Sequence, residues 1–267
     1  MLTSVHNERV RFAAALARRD ARSKTGRFLL DGPQSVAEAV QWRSQAVEQV
    51  YAAENAVERL GDLLDAARAA GVPVETVTER VLKAMSDTVH PQGVVAVARQ
   101  FPVRAEDLFA ADPRLLVIMH HVSDPGNAGT VLRVADAVGA DGVIFTDGSV
   151  DVYNPKVVRS TTGSLFHLPV AVGVSLEDAV RLAHESGLQT LAADISGDEL
   201  SSDTATAELL AQPTAWLFGN EAHGLDEAEL ALADQAVRLP IYGRAESLNL
   251  AIAASVCLYQ SAFRMHA

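Results

Sequence analysis

Cys257 is the only cysteine among the 267 residues, which excludes an internal disulfide framework and any multi-cysteine metal site. It falls in an apolar helical run, where a free thiol behaves as a small buried hydrophobe. Aromatic residues are scarce at 5% although 49% of the chain is hydrophobic, so the core must be built mainly from Ala, Val and Leu packed on helices and strands. Long apolar runs are missing as well. The start, MLTSVHNERVRFAAALARR, mixes charges into its apolar positions, and no later stretch approaches the ~18 apolar residues of a membrane span. The expectation is a soluble cytoplasmic protein with no membrane partner. Also lacking are G-x-G-x-x-G after a strand and G-x-x-x-x-G-K-[ST], which disfavours dinucleotide and P-loop enzymes.

Net positive charge is absent too, since the formal charge is -12, and phosphate binding wants Lys and Arg. The sum hides an asymmetry: residues 1–100 carry +1 and the remainder -13. The front third is therefore where a polyanion could dock, through Arg9, Arg11, Arg18, Arg19, Arg22, Lys24 and Arg27. A solvated helix face is the competing reading of the same residues.

The length suits two domains, because single cores stop growing near ~250 residues. Apolar positions Val10, Ala13, Ala14 and Leu16 predict an amphipathic helix from Asn7 to about Arg19. RFLLDG at 27–32 reads as a strand, and Pro33 opens a helix behind it. Apolar runs near 47–52, 72–74 and 93–98, with helices at about 56–70 and 78–85, complete a small α/β unit over 1–100. The two prolines and several charges of RQFPVRAEDLFAADPR put the boundary within 99–114. From 115 to 267 the pattern alternates: strands LLVIM, GVIFT, LQTLAAD, TAWLFG and VRLP are separated by helices, with Asp124, Asn154 and Ser175 at helix starts. Such alternation implies a mostly parallel sheet covered on both faces.

Ligands bind beyond the carboxyl ends of strands in open α/β sheets, so loops directly after strands are the informative ones. In DPGNAGTVLR, Asn127, Thr130 and Arg133 fall along one side of the first helical turns. In FGNEAHGL, Gly219 and Gly224 bracket Asn220, Glu221 and His223, and glycines after a strand permit close backbone approach to a ligand. LPIYGRAESLNLA places Ser247 and Asn249 at the start of the last helix. Each loop alone is equally a turn with a helix cap. His120 and His121, adjacent on a strand end, should point to opposite faces, a poor arrangement for a metal, and no catalytic metal is expected.

Taken in order, the three loops resemble the SpoU (TrmH-like) branch of the SPOUT RNA methyltransferases. The first matches N-x-G-x-x-x-R at Asn127, Gly129 and Arg133, and the second matches G-N-E-x-x-G from Gly219 to Gly224. The third resembles I-P-M-x-G-x-x-x-S-L-N, departing at Leu239 and Ile241. RRDARSKTGRFLLDGPQSVAEA is similar to the family's ribosomal-protein-like RNA substrate-binding domain. The resemblance implies a trefoil knot through the segments of the second and third motifs. It also implies a homodimer joined in part by the last helix, for which Leu250, Ala254, Cys257, Leu258 and Ser261 offer a small-residue face.

For the chemistry, the resemblance implies methyl transfer from S-adenosylmethionine to a ribose 2'-hydroxyl of RNA, ribosomal RNA of the large subunit above transfer RNA. Leu217, Phe218, Gly219, Leu239, Ile241 and Leu248 would hold the cofactor. Arg133, Asn127, Glu221, Ser247 and Asn249 would form the catalytic set, with Arg133 orienting ribose and phosphate because a guanidinium is a poor base. Arg9, Arg18, Arg19, Arg22, Lys24 and Arg27 would dock RNA. The alternatives are a non-catalytic RNA-binding assembly factor and a small-molecule nucleotide enzyme.

Overall fold

Asn7 caps the first helix, α1 (Glu8–Ala15), by accepting a hydrogen bond from Arg9 N. The helix ends short of the expected Arg19. A turn at 16–18 separates it from α2 (Arg19–Thr25), which Gly26 closes at φ 64°. This break turns Arg22 inward. It is 2% exposed, and Nη1 donates to the carbonyls of Leu16 and Ala17 at 2.9 and 2.8 Å. Those carbonyls are among the groups that a helix end leaves without internal partners.

The computed structural model describes residues 1–200 and 203–267, which fall into two units, Met1–Phe101 with Tyr153–His167, and Pro102–Val152 with Leu168–Ala267. In the first unit β1 (Arg27–Asp31) leads to α3 (Pro33–Arg43), with Pro33 in its first turn. Then come β2 (Val47–Ala53), α4 (Gly61–Ala69), β3 (Val74–Val77), α5 (Glu79–Met85) and β4 (Val94–Arg99). The sheet order is β1-β4-β2-β3. Its first two pairings are antiparallel and β2–β3 is parallel.

Onward in the chain lie α6 (Ala105–Phe109), β5 (Leu115–Met119), α7 (Pro125–Ala137), β6 (Gly142–Thr146) and α8 (Pro155–Ser160). Asn154 caps α8, which groups with the first unit; there Tyr153 Oη accepts from Phe101 N at 2.9 Å and its ring lies 4.8 Å from that of Phe28. The remainder comprises β7 (Val170–Val174), α9 (Leu176–Glu185), β8 (Gln189–Glu199), α10 (Thr204–Ala211), β9 (Thr214–Phe218), α11 (Glu227–Leu230), β10 (Gln235–Arg238) and α12 (Leu250–Met265). Of these, β7, α6 and α10 were not foreseen.

The second sheet runs β10-β8-β9-β5-β6-β7, and every pairing in it is parallel. Its central strands β5, β9 and β6 are buried throughout, as strands covered on both faces must be. Trp216 of β9 is fully buried and donates Nε1–H to Ser261 of α12 at 2.9 Å. Asn249 caps α12, accepting from Ala251 N and Ile252 N. Leu258 and Ser261, expected at a dimer face, are 0% exposed within this one chain, as is Ala254, while Cys257 is 1% exposed. The exposed stripe of α12 is instead Ile252, Val256, Tyr259 and Phe263, spaced about a helical turn apart.

Candidate active site

Parallel pairing of β5 with β9 puts their carboxyl ends side by side, so the loops at 120–124 and 219–224 meet. Glu221 is the meeting point. Its Oε2 accepts from Ser123 N and Ser123 Oγ, both at 3.0 Å, and its Oε1 accepts from Asp124 N at 2.9 Å and Asn127 Nδ2 at 3.2 Å. Burial by itself pushes this carboxyl up. The amides of Ser123, Asp124 and Glu221 itself, together with the Asn127 side chain, outweigh it and hold the group below its ordinary range.

Asn127 extends the network to the third motif, since its Oδ1 accepts from Asn249 Nδ2 at 3.0 Å. The first loop, 94 residues before Glu221 and 122 before Asn249, is thus tied to the other two by side-chain bonds. Asn220 braces the second loop: Nδ2 donates to His121 O at 2.7 Å, and Oδ1 accepts from Ala222 N at 2.8 Å. Gly219 has no room for a side chain, because a Cβ there would stand 2.6 Å from the backbone of Gly224.

Beside this network opens a cavity of about 640 Å³. Phe218, Gly219, Leu239, Ile241, Ser247 and Leu248 all line it. Leu217 does not belong with them, for its side chain is 0% exposed in the core between sheet and helices; strand alternation turns it to the opposite face from Phe218. Cys257 also touches the cavity, with its thiol pushed up to about 12 by burial, so it stays protonated and unreactive. Ser247 makes no hydrogen bond to any described residue. Arg133, six residues along α7 from Asn127, is exposed, lies outside the cavity lining, and pairs with no acid among the described residues.

Asp194, in the cavity lining, was missed by sequence reasoning; the available signal was an acid directly after the apolar run LQTLAA, past which β8 continues to Glu199. The two histidines depart from expectation. His121 lies beyond the end of β5 with φ 51°, a left-handed conformation that breaks strand alternation, and its ring stacks on that of His120 at 3.9 Å. His120 is held between Thr146 Oγ1 at 2.9 Å and Glu229 Oε1 at 2.8 Å. Ligating atoms of His120, His121 and Glu229 come within 4.8 Å of one another, although stacked rings direct their in-plane lone pairs along neighbouring planes.

The basic residues at the front divide by environment. Arg22 is buried and serves the α1–α2 junction, so its position leaves nothing for phosphate. Arg9 pairs with Glu75 at 2.7 Å and Arg27 with Glu48 at 2.8 Å. Arg18, Arg19 and Lys24 are exposed, Arg18 with a 3.3 Å contact to Asp20.

An all-parallel sheet with glycine loops beyond its carboxyl ends defines an α/β ligand-binding unit. Residues 114–259 match the SpoU rRNA Methylase family, and residues 29–103 match the family described as RNA 2'-O ribose methyltransferase substrate binding. The chain is 32% identical over 259 residues, 97% of each protein, to the 23S rRNA (guanosine(2553)-2'-O)-methyltransferase RlmP of Bacillus subtilis (strain 168). It is 33% identical over 97% of its length, and 91% of the relative's, to the 23S rRNA (uridine(2479)-2'-O)-methyltransferase of Streptomyces viridochromogenes. The crystal structure of an AdoMet-bound rRNA methyltransferase from Sinorhizobium meliloti is similar with a TM-score of 0.82 at 31% identity, covering 97% of this chain and 96% of that one. This chain belongs to the SpoU rRNA methylase family.

Proposed function

We propose that the chain transfers a methyl group from S-adenosylmethionine to a ribose 2'-hydroxyl of ribosomal RNA, with the large-subunit RNA as target. The observation that carries this reading is the bond network of Glu221, Asn127 and Asn249, which ties the first loop to the two motif segments that line one cavity. The residues present fit the cofactor. A cavity of about 640 Å³ lies within the usual range for small-molecule sites, its wall is apolar at Leu239, Ile241 and Leu248, and Gly219 leaves backbone bare where a side chain would collide. Bound there, the cofactor supplies an electrophilic methyl group.

The chain's own residues then divide the work. Phe218, Gly219, Leu239, Ile241 and Leu248 would hold the adenosine part. Glu221, fixed as an anion by its donors, keeps the first two loops in register, and Asn249 couples them to the start of α12. Ser247 presents a free hydroxyl at the cavity, and Arg133 offers an unpaired planar fork to ribose and phosphate. Arg18, Arg19 and Lys24 are the exposed cations of the front unit suited to RNA phosphates. No metal takes part in this reading.

Mass-spectrometric mapping of 2'-O-methyl groups in ribosomal and transfer RNA, with and without the gene, is the test. Loss of one ribosomal site is expected. Loss confined to transfer RNA, or an unchanged map, would refute the assignment.

The same reading includes a knotted path through the second and third motifs, a cytoplasmic location, and a homodimer. Among the described residues no helix is long and apolar enough to cross a membrane. What supports the dimer is the exposed stripe Ile252, Val256, Tyr259 and Phe263, of which Phe263 is 65% exposed. A two-fold interface counts each substitution twice. Phe263→Glu is therefore expected to raise the dimer dissociation constant about 100-fold or more, the equivalent of roughly 1.5 kcal/mol of apolar burial lost per copy. Sedimentation velocity across a concentration series reads this out, and a fully active wild-type monomer at assay concentration would contradict the dimer.

A further inference from the structure

Four carboxylates line the cavity: Asp194, Glu199, Glu221 and Glu246. Two are already engaged, Glu221 by the donors at 123, 124 and 127, and Glu199 by Arg238 at 3.1 Å. Glu246 sits in the exposed link before α12. Asp194 is placed differently. The last rung that β8 shares with β9 joins Ala192 to Leu217, while β8 itself runs on to Glu199, so Asp194 stands on β8 two residues past that rung, beside the strand that carries the 219–224 loop.

Its two oxygens are unequal. Oδ1 accepts from Ser196 N at 2.8 Å and Ser196 Oγ at 2.7 Å, which fixes the orientation of the group. Oδ2 accepts from no described residue. It faces the loop, since a Cβ added to Gly224 would stand 3.5 Å from it. A half-buried acceptor held in place by its other oxygen calls for a donor when a ligand shuts out water, because an unsatisfied buried charge is costly.

We propose that Asp194 is a cofactor-binding residue whose Oδ2 accepts a hydrogen bond from a ribose hydroxyl of the adenosine part, an inference that rests on the S-adenosylmethionine reading above. Three features of the cofactor compete for this carboxylate. The sulfonium has no N–H or O–H to donate. The amino-acid end brings an ammonium donor but joins to it a carboxylate of its own, which no free cation of the lining would meet, because Arg238, the one guanidinium or ammonium among the described lining residues, is taken up by Glu199 and the carbonyl of Gly197. A vicinal diol donates without adding charge. An acid beside a glycine loop also holds ribose in dinucleotide-binding sheets.

Isothermal titration of wild type and Asp194→Asn with three ligands separates these possibilities. S-adenosylmethionine, S-adenosylhomocysteine and 5'-methylthioadenosine share the ribose, but the second lacks the sulfonium and the third also lacks the amino-acid end. Asp194→Asn is expected to weaken all three by the same factor, about 10-fold, the worth of one hydrogen bond to a charged acceptor. Weakening of S-adenosylmethionine alone would assign the residue to the sulfonium, and weakening that spares 5'-methylthioadenosine would assign it to the amino-acid end. Either result overturns the proposal, as does unchanged affinity throughout. Should the variant fold poorly, wild type alone still decides, by binding adenosine about 10-fold more tightly than 2',3'-dideoxyadenosine if the proposal holds and equally if it does not. Wild type that fails to bind S-adenosylmethionine would sink the cofactor reading itself, a different outcome from an indifferent residue 194.

Discussion

Arg133→Ala is expected to lower methyl transfer by about 100-fold or more, equivalent to roughly 2.7 kcal/mol of lost transition-state stabilisation, while S-adenosylmethionine affinity stays within about twofold. The separation follows from position. Arg133 is exposed on α7 outside the cavity lining and pairs with no described acid, so removing it disturbs neither the cofactor walls nor the loop network. A group that contacts only the reacting RNA shows itself in kcat more than in cofactor binding. Arg133→Lys then tests the kind of help given. Lysine keeps the charge but not the planar fork, so poor rescue is expected if orientation matters, whereas rescue with an altered pH profile would mark a proton acceptor. Near-normal transfer by Arg133→Ala would reduce the residue to a solvated helix charge.

Glu221→Gln should damage both binding and turnover. The carboxylate accepts four hydrogen bonds from Ser123, Asp124 and Asn127, and an amide in its place turns one acceptor into a donor facing donors. Transfer is expected to fall about 100-fold or more, with weaker cofactor affinity and a stability loss of about 2 kcal/mol. The pH dependence has a definite sign. Because the folded carboxyl titrates below its ordinary value of 4.5, its stabilisation is complete above that value and fades as pH falls through the lowered folded value. Melting temperatures of wild type and Glu221→Gln should therefore converge on acidification. A difference constant from pH 7 to pH 3 would show that the charge of Glu221 is not what holds the loops.

Local chemistry was well legible in the sequence. Asp124 and Asn154 stand one residue before a proline, and with Ser175 they cap helices where side-chain oxygens in those positions must. Continuous apolar runs such as LLVIM and GVIFT are buried parallel strands. Tertiary context hid the rest. No glycine or proline marks the turn at 16–18, so the inward swing of Arg22 had no local signal. Strand alternation could not place His121, whose backbone is already left-handed beyond β5. On α12 both faces are rich in apolar residues, and tertiary packing, against α7, α10 and Trp216 of β9, decides which is buried. The motif residues could be picked out one by one, but Glu221 and Asn127 are 94 residues apart, and nothing local announces that they touch.

The bonds that join the motifs also have a direction. Ala251 N–H donates to Asn249 Oδ1, Asn249 Nδ2 donates to Asn127 Oδ1, and Asn127 Nδ2 donates to Glu221 Oε1. Every dipole in this chain runs the same way, from the positive amino end of the last helix to a carboxylate, and aligned hydrogen bonds polarise one another. Each asparagine must act as donor on one side and acceptor on the other. Aspartate has the right shape and the wrong grammar: at 127 it would set a second anion against Glu221 and leave Asn249 speaking to an oxygen that can no longer pass the message on.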